Sequence, residues 1–199
     1  MTAEGPAFKP RRCVAGPRWA APVVVLVEIG ASWGLDPVDA CLRLLEEEET
    51  GVSFVGHAMS PENVERVLRH PLVMIGSDGS SMAPVGEAAK ARPHPRSYGT
   101  FPRVLGFYAR ERGLFGLPAA VHKMTGLPAD QVGLADRGRV ARGKAADLVV
   151  FDAARVRDTA TFDDPHRYPE GIVHVLVNGV SVVEAGAHTV ARPGRALRK

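Results

Sequence analysis

The sequence predicts an α/β fold followed by a small β unit. Two amphipathic helical patterns, which start near Asp36 and Ser60, come before a short apolar run at 71–77 that ends at Asp78 and Gly79. Such a run is typical of a strand buried on both faces. Helical patterns then resume, and beyond Gly133 the apolar residues recur at every second position. Helices alternating with a buried strand indicate an α/β arrangement, and the later pattern indicates strands.

The helix starts carry local signals. Asp36 is followed by Pro37, and Ser60 by Pro61, so each pair supplies a capping side chain and a proline at the first helical position. Further helices are predicted near 101–112 and 117–125, with a short one from Leu127, and a short strand is predicted at 52–55. The apolar faces of the first two helices are predicted to consist of Val38, Cys41, Leu42, Leu44 and Leu45, and of Val64, Val67 and Leu68.

Residues 80–102 are rich in Gly, Pro and Ser and are predicted to form a long loop. In the β unit, strands are expected at Val140 and at 146–151, 172–177 and 181–183. Asn178-Gly179 lies between the last two and is a strong hairpin signal. A boundary near residue 130 follows from this change of pattern.

Composition excludes several classes of function. The chain has 199 residues, of which 45% are apolar and 24% charged, with a formal charge of +3. The low aromatic content and the absence of a basic stripe argue against nucleic-acid binding. No apolar run is long enough for a membrane span. Two cysteines, Cys13 and Cys41, provide neither a disulfide framework nor a zinc knuckle, and the chain is expected in the cytoplasm.

Asp78 and Arg96 are the candidate site residues. Asp78 follows the predicted buried strand, where an α/β barrel carries its active site, although local pattern alone favours an aspartate that stabilises a turn. Arg96 follows Pro93-His-Pro, and its guanidinium suits a carboxylate ligand, although spacing alone favours an exposed loop arginine. His94 has neither of the spacings, His-x-His or His-Glu-x-x-His, that mark a metal site.

Five motifs in one order extend the analysis beyond local pattern. The motifs lie at 73–79, 93–106, 143–152, 160–172 and 175–179. With these motifs, the chain resembles the C-terminal region of the N-acyl-D-amino-acid deacylases, also called D-aminoacylases, of the amidohydrolase superfamily, over roughly residues 32–199. The motifs at 93–106 and 160–172 are the more diagnostic, whereas the one at 143–152 occurs across the superfamily.

The resemblance implies a (β/α)8 TIM barrel beside a small β-sandwich-like domain. Residues 32–128 would be the C-terminal part of the barrel, with 71–77 as its final strand, and residues 129–199 would complete the β domain. Residues 1–31 match nothing in the family and form an atypical N-terminal segment.

The resemblance also implies a reaction, the zinc-dependent hydrolysis of an N-acyl-D-amino acid to a D-amino acid and a carboxylic acid. Asp78 would take the proton of the attacking water and deliver it to the leaving amine. Arg96 would bind the carboxylate of the substrate, although the stretch between Asp78 and Arg96 is longer than is usual in the family.

The metal ligands of the family are not found in this chain. Its early His-x-His motif, bridging cysteine and mid-barrel histidines have no counterpart here, so the ligands are unknown and neither Cys13 nor Cys41 is given a metal role. The sequence is therefore expected to be incomplete, through a truncated gene or a displaced start, or to depend on a second chain. An exposed barrel edge would then favour self-association. The alternatives are an inactive degenerate fragment, a non-catalytic interaction module, or another amidohydrolase such as a cyclic-amide hydrolase, which would lack the 93–106 motif.

Overall fold

The computed structural model describes residues 26–49 and 59–197, and these form a mixed helical and sheet structure. Two compact units are present, one comprising residues 26–49 and 83–92 and the other residues 59–82 and 93–197. No described helix is long and apolar enough to cross a bilayer. The helices are α1 Leu26–Trp33, α2 Pro37–Glu47, α3 Pro61–Arg69, α4 Arg96–Arg103, α5 Leu117–Met124 and α6 Gly126–Val132, and the strands are β1 Leu148–Phe151, β2 Ile172–Val177, β3 Val180–Glu184 and β4 Ala187–His188.

In the first unit, α2 begins where its sequence signals place it. The Asp36 side chain accepts hydrogen bonds from the backbone N–H groups of Val38, at 2.7 Å, and Asp39, at 3.2 Å. The predicted apolar face is only partly right, because Val38 is 67% and Leu42 60% exposed. The face turned inward is instead centred on the fully buried Ala40 and includes the half-buried Cys41, Leu44 and Leu45.

In the second unit, α3 also starts at its predicted cap. The Ser60 hydroxyl accepts the backbone N–H of Asn63 at 3.3 Å. Val64 and Leu68 are half-buried, whereas Val67 remains 51% exposed. The strand predicted at 52–55 and the cysteine at position 13 lie outside the described residues.

The strand predicted over 71–77 is wrong. These residues adopt no regular secondary structure, and Leu72 is 74% and Met74 39% exposed, so the stretch is not buried on both faces. A strand exists only where a second backbone runs alongside it. Here the Ile75 N–H donates instead to the backbone carbonyl of Lys123 in α5, at 3.0 Å.

The loop predicted over 80–102 ends earlier than expected. It contains a short 3-10 helix, Gly86–Lys90, and then α4 starts at Arg96, five positions before the helix predicted from residue 101. Pro102 lies inside α4, where it provides no N–H for the preceding turn. The helix continues as a π-helix, Val104–Glu111, whose wider turns follow directly after the proline-containing stretch.

The four strands form one antiparallel sheet in sequence order. The predicted hairpin is confirmed: Asn178 (φ 49°) and Gly179 (φ 80°) make the two-residue turn between β2 and β3, with the left-handed backbone that this turn requires. Ala185 and Gly186 make a second such turn, which was not predicted. The strand predicted at Val140 is wrong, since that residue is 87% exposed and outside the sheet.

The core of the second unit joins the helices to the β region. Val104 and Leu105 of the π-helix and Ala120 of α5 pack with Val156, which follows β1. Gly106 makes this contact close, because a Cβ built on it would lie 2.4 Å from the Val156 carbonyl oxygen. The predicted domain boundary at residues 128 and 129 stays a prediction.

We expect Gly106→Ala to destabilise the protein. Alanine in a helix is normally favoured over glycine by about 1 kcal/mol, but here its methyl group would collide with the backbone at Val156. Overpacking of this kind costs about 1–3 kcal/mol. Equilibrium urea unfolding should show a lower midpoint than the parent, whereas Gly76→Ala, where nothing lies within 4 Å of the added Cβ, serves as the control. Equal midpoints for parent and Gly106→Ala would contradict the packing shown here.

Candidate functional site

Asp78 stands at a sharp turn with its side chain in solvent. Its φ of 49° is left-handed, a conformation that aspartate tolerates better than most residues. Its side chain is 85% exposed. The next residue, Gly79, donates its N–H to the Ser77 hydroxyl at 3.2 Å. The hydroxyl that bonds to this turn is thus that of Ser77, and the left-handed backbone of Asp78 presents its carboxylate outward.

The turn packs directly against the start of α4. A Cβ built on Gly79 would lie 2.9 Å from the Cα of Ser97 and 3.2 Å from the carbonyl oxygen of Arg96. Only glycine permits this approach without a shift of the backbone. The two predicted site residues are thereby brought together: the Arg96 Nη2 and Asp78 Oδ2 atoms are 3.0 Å apart.

His94 shapes the first turn of α4. Its Nδ1 accepts the backbone N–H of Arg96 at 3.0 Å, and its carbonyl oxygen accepts the N–H of Ser97 at 3.0 Å. Its ring meets that of Phe162 edge-on, with centroids 5.0 Å apart. His94 therefore fixes the backbone that presents Arg96, a role consistent with the structural interpretation of this histidine.

The two most diagnostic motifs pack against each other. The Tyr98 hydroxyl and the His166 Nδ1 are 2.9 Å apart, and the Tyr98 ring meets that of Tyr168 edge-on at 5.7 Å. Burial, and secondarily the neighbouring Tyr168, raise the pKa of Tyr98, so its hydroxyl stays protonated near neutral pH. The stretch 160–172 thus forms a supporting layer behind the helix that carries Arg96.

A shallow cleft of about 320 Å³ lies further along the same helix. Arg103 and Phe107 line one side and residues 157–161 the other. Arg103 is already engaged, since its Nη1 lies 2.9 Å from Asp158 Oδ2 and its guanidinium stacks on Phe107 at 4.5 Å. Arg157 is likewise paired with Glu170, at 2.8 Å. The charges lining the cleft are therefore largely neutralised within the protein.

The first aspartate of the 143–152 motif has a structural role. Asp147 accepts the backbone N–H of Asn178 at 2.8 Å through one oxygen and contacts the buried Arg137 through the other. Arg137 also donates to the Asn178 side chain at 2.9 Å. This network fastens the β2–β3 turn, so the motif stabilises the sheet.

The described residues do not fit a complete metal site. Among residues 26–49 and 59–197, no three His, Cys, Asp or Glu side chains converge closely enough to hold an ion. Asp78 is paired with Arg96, and the Nδ1 of His94 is used in capping α4. Cys41 is a half-buried free thiol in the other unit.

One feature of this region was missed in the sequence. Lys123 is 4% exposed, with a side chain that bonds to the stretch leading to Asp78. The available signal was its spacing: Lys123 lies three positions after the fully buried Ala120 and so shares its helix face.

The sequence over most of the chain assigns it to a family. Residues 26–183 match the Amidohydrolase family, and the chain belongs to that family. This confirms the resemblance drawn from the motifs.

Particular relatives are also similar to this chain. It is 48% identical over 174 residues to an N-acyl-D-glutamate deacylase and 52% identical over 141 residues to a D-aminoacylase, both of Alcaligenes xylosoxydans xylosoxydans. The two matches cover 87% and 71% of this chain, but 33% and 28% of those relatives. The chain therefore spans about a third of the length of the curated relatives it matches.

Solved structures of deacylases are also similar to this chain over part of their length. A D-aminoacylase described as having a binuclear metal center matches with a TM-score of 0.73 and 42% identity, over 87% of this chain and 34% of that one. An N-acyl-D-glutamate deacylase from Bordetella bronchiseptica, complexed with zinc and a phosphonate inhibitor, matches with a TM-score of 0.71 and 39% identity, over 92% and 36%. The described fold is therefore that of part of these metal-containing enzymes.

Proposed function

We propose that this chain supplies the proton-transfer and carboxylate-binding residues of a zinc-dependent hydrolase of N-acyl-D-amino acids. One observation carries the proposal. Asp78 and Arg96 come from separate motifs, and their side-chain atoms lie 3.0 Å apart at the N-terminal end of α4. The relatives' names supply the substrate class, since they act on N-acyl-D-glutamate and N-acyl-D-aspartate.

Arg96 is suited to bind the substrate carboxylate. Its side chain is 44% exposed, and its present partner, Asp78, is more exposed still. Ion pairs in solvent contribute little free energy, so an incoming carboxylate can replace Asp78 at small cost. A guanidinium accepts a carboxylate through two parallel hydrogen bonds, which would fix the orientation of the substrate.

Asp78 is suited to move the proton once it is released from Arg96. The hydrolysis consumes one water: its oxygen bonds to the amide carbon, the C–N bond breaks, and the amine nitrogen gains a proton. A carboxylate at the reacting atoms takes the water proton and returns it to the nitrogen, so no net proton is lost. Bound zinc would polarise the carbonyl and acidify the water, and a complete ligand set would need residues from outside the described ones, because no three potential ligands converge among these.

The complete fold is proposed from the same relatives. Residues 32–128 would be the last part of a (β/α)8 barrel, and residues 129–199 would complete a small β-sandwich-like domain. Exposed apolar side chains such as Val67 and Leu72 would then pack against the rest of the barrel, or support self-association in its absence. A cytoplasmic location agrees with the free thiol of Cys41.

A chimaera tests the proposal directly. This chain would replace the matching 174-residue stretch of the Alcaligenes N-acyl-D-glutamate deacylase, to which it is 48% identical. Zinc-dependent hydrolysis of N-acetyl-D-amino acids, and not of their L-enantiomers, is the expected result. A folded, zinc-loaded chimaera without turnover would favour the alternative, in which the chain is a degenerate fragment or a non-catalytic interaction module.

In an active chimaera, Arg96→Ala is expected to raise KM strongly for N-acetyl-D-amino acids. Loss of a charge-assisted bidentate contact typically costs about 1.5–3 kcal/mol, or roughly 10- to 150-fold. Steady-state kinetics on an N-acetyl-D-amino acid and on its carboxamide analogue measure the effect. The KM values of Arg96→Ala for the N-acetyl-D-amino acid and for its carboxamide analogue should be similar. The control Arg142→Ala, at an exposed position, should have the KM values of the parent. Equal losses on both substrates would indicate a structural role for Arg96.

A further inference from the structure

The stretch that leads to Asp78 is held by one buried lysine. Lys123 of α5 is only 4% exposed. Its Nζ donates to the carbonyl oxygens of His70 and Val73, the second at 3.0 Å. Its own carbonyl oxygen accepts the N–H of Ile75, also at 3.0 Å. Three hydrogen bonds from a single residue therefore fasten residues 70–75.

These bonds have particular weight because residues 70–77 belong to no sheet. Backbone polar groups of an irregular stretch need partners of some kind. The other hydrogen bonds of this stretch are local, such as Val73 N–H to His70 carbonyl at 3.1 Å and Leu72 N–H to His70 Nδ1 at 3.3 Å. Within the described part of the chain, the His70 N–H donates to the Val67 carbonyl at the end of α3, at 3.1 Å, and the hydrogen bonds that connect residues 70–77 to elements more distant in sequence involve Lys123.

Burial of Lys123 costs desolvation free energy, so stability alone does not account for its position. Lysine is almost never fully buried unless its charge is compensated, because desolvation of an ammonium is costly. Burial accordingly lowers the pKa of Lys123. The Phe115 ring, 5.8 Å from Nζ, provides a weak additional partner for the cation. A methionine would fill the same volume without this cost, so the buried ammonium is better explained by its hydrogen bonds to the carbonyl oxygens of His70 and Val73.

We infer that Lys123 is a positioning residue for Asp78. It fixes residues 70–75, while the contact of Gly79 with Ser97 fixes the other end of the turn. Gly76, Ser77 and Asp78 span the gap between the two anchors, so the carboxylate is placed beside Arg96 by constraints from both sides. The catalytic consequence of this placement rests on the proposed function; the anchoring itself does not.

Hydrogen exchange on the full chain tests the anchor. Lys123→Met keeps the length of the side chain and removes the donors, so amide exchange in peptides from 70–78 should accelerate about ten-fold, as expected for the loss of about 1–1.5 kcal/mol of hydrogen bonding. Exchange in 172–183, which covers β2 and most of β3, should not change. Lys123→Arg, which retains a cationic donor, should restore most of the protection at 70–78. Lys144→Met is the matched control, since the exposed Lys144 also donates to a carbonyl oxygen, that of Ala135.

A kinetic measurement separates positioning from a purely structural role. In an active chimaera, Lys123→Met should lower kcat about ten-fold or more and leave KM within about three-fold, because Arg96 stays on α4 while the Asp78 carboxylate loses its fixed position. An inactive parent chimaera would count against the proposed function, and the exchange measurement would still decide the anchor. The inference would be overturned if the amides of 70–78 exchange without protection in the parent. It would also be overturned if Lys123→Met leaves the exchange rate of 70–78 unchanged, or accelerates exchange in 172–183 by the same factor.

Discussion

Asp78→Asn is expected to remove nearly all turnover from the active chimaera while leaving its fold intact. Asparagine has almost the same size and tolerates the same left-handed backbone, but its amide cannot take up and return a proton. General acid–base catalysis is typically worth about 10²–10⁴-fold, and kcat should fall by that factor. The fold should survive because the Asp78 side chain is 85% exposed and supports no core contact.

The matched control for this change is Asp130→Asn. Asp130 is also an exposed aspartate in an ion pair, with Arg139 at 2.6 Å, so the substitution removes the same charge and the same type of contact away from Asp78. Steady-state kcat and thermal midpoints of both variants should be measured beside the parent chimaera. Turnover of Asp78→Asn within a few fold of the parent would remove Asp78 from the proton-transfer role.

The features that sequence predicted best depend on neighbours along the chain. The caps at Asp36 and Ser60 are satisfied by N–H groups two or three residues further on, so the helix starts could be placed from local chemistry alone. The Asn178-Gly179 turn is local in the same sense, since it needs two residues with left-handed backbone between two strands.

The predictions that failed concern features that depend on partners distant in sequence. An apolar run such as 71–77 becomes a strand only beside another backbone, and the run itself does not reveal whether that backbone is present. The start of α4 at Arg96 was hidden because its N-cap residue, Pro95, has no side-chain acceptor. The Arg96 N–H is accepted instead by Nδ1 of His94, one position earlier, and histidine is not a usual signal for a helix start. The Gly, Pro and Ser content of 80–102 further suggested a loop up to residue 102, whereas α4 already includes Pro102.

For the site, local pattern and resemblance contributed different parts. Pattern alone favoured a turn aspartate at Asp78 and an exposed loop arginine at Arg96; both side chains are exposed, but Asp78 pairs with Arg96, and Arg96 begins α4. Only the resemblance selected the two as partners in one site, and the close approach of Gly79 to Ser97 is what brings them to 3.0 Å. Neither local pattern nor the resemblance identified Lys123, because a lysine on an apolar helix face is usually expected to extend into solvent.

The 199-residue chain by itself is expected to hydrolyse no N-acyl-D-amino acid and to retain no stoichiometric zinc. A zinc site needs three or four protein ligands at about 2.0–2.3 Å from the metal. Within residues 26–49 and 59–197, no three potential ligands converge, and the two residues proposed for catalysis are paired with each other. Without a metal, the water near Asp78 would keep a pKa far above neutral, so a single carboxylate would give little rate enhancement.

The measurement is metal content after dialysis, together with an assay on N-acetyl-D-glutamate, for the chain and for the chimaera in parallel. The chimaera should retain zinc and turn over, and the chain alone should do neither. The role of Asp78 is tested only in the chimaera, because the chain alone has no activity to lose; retained turnover of Asp78→Asn there would count against the aspartate, whereas lack of zinc in the chain alone concerns only the missing ligands. One zinc per chain with measurable turnover would contradict the prediction, because residues such as His94, or His57 outside the described part of the chain, would then have to complete the site.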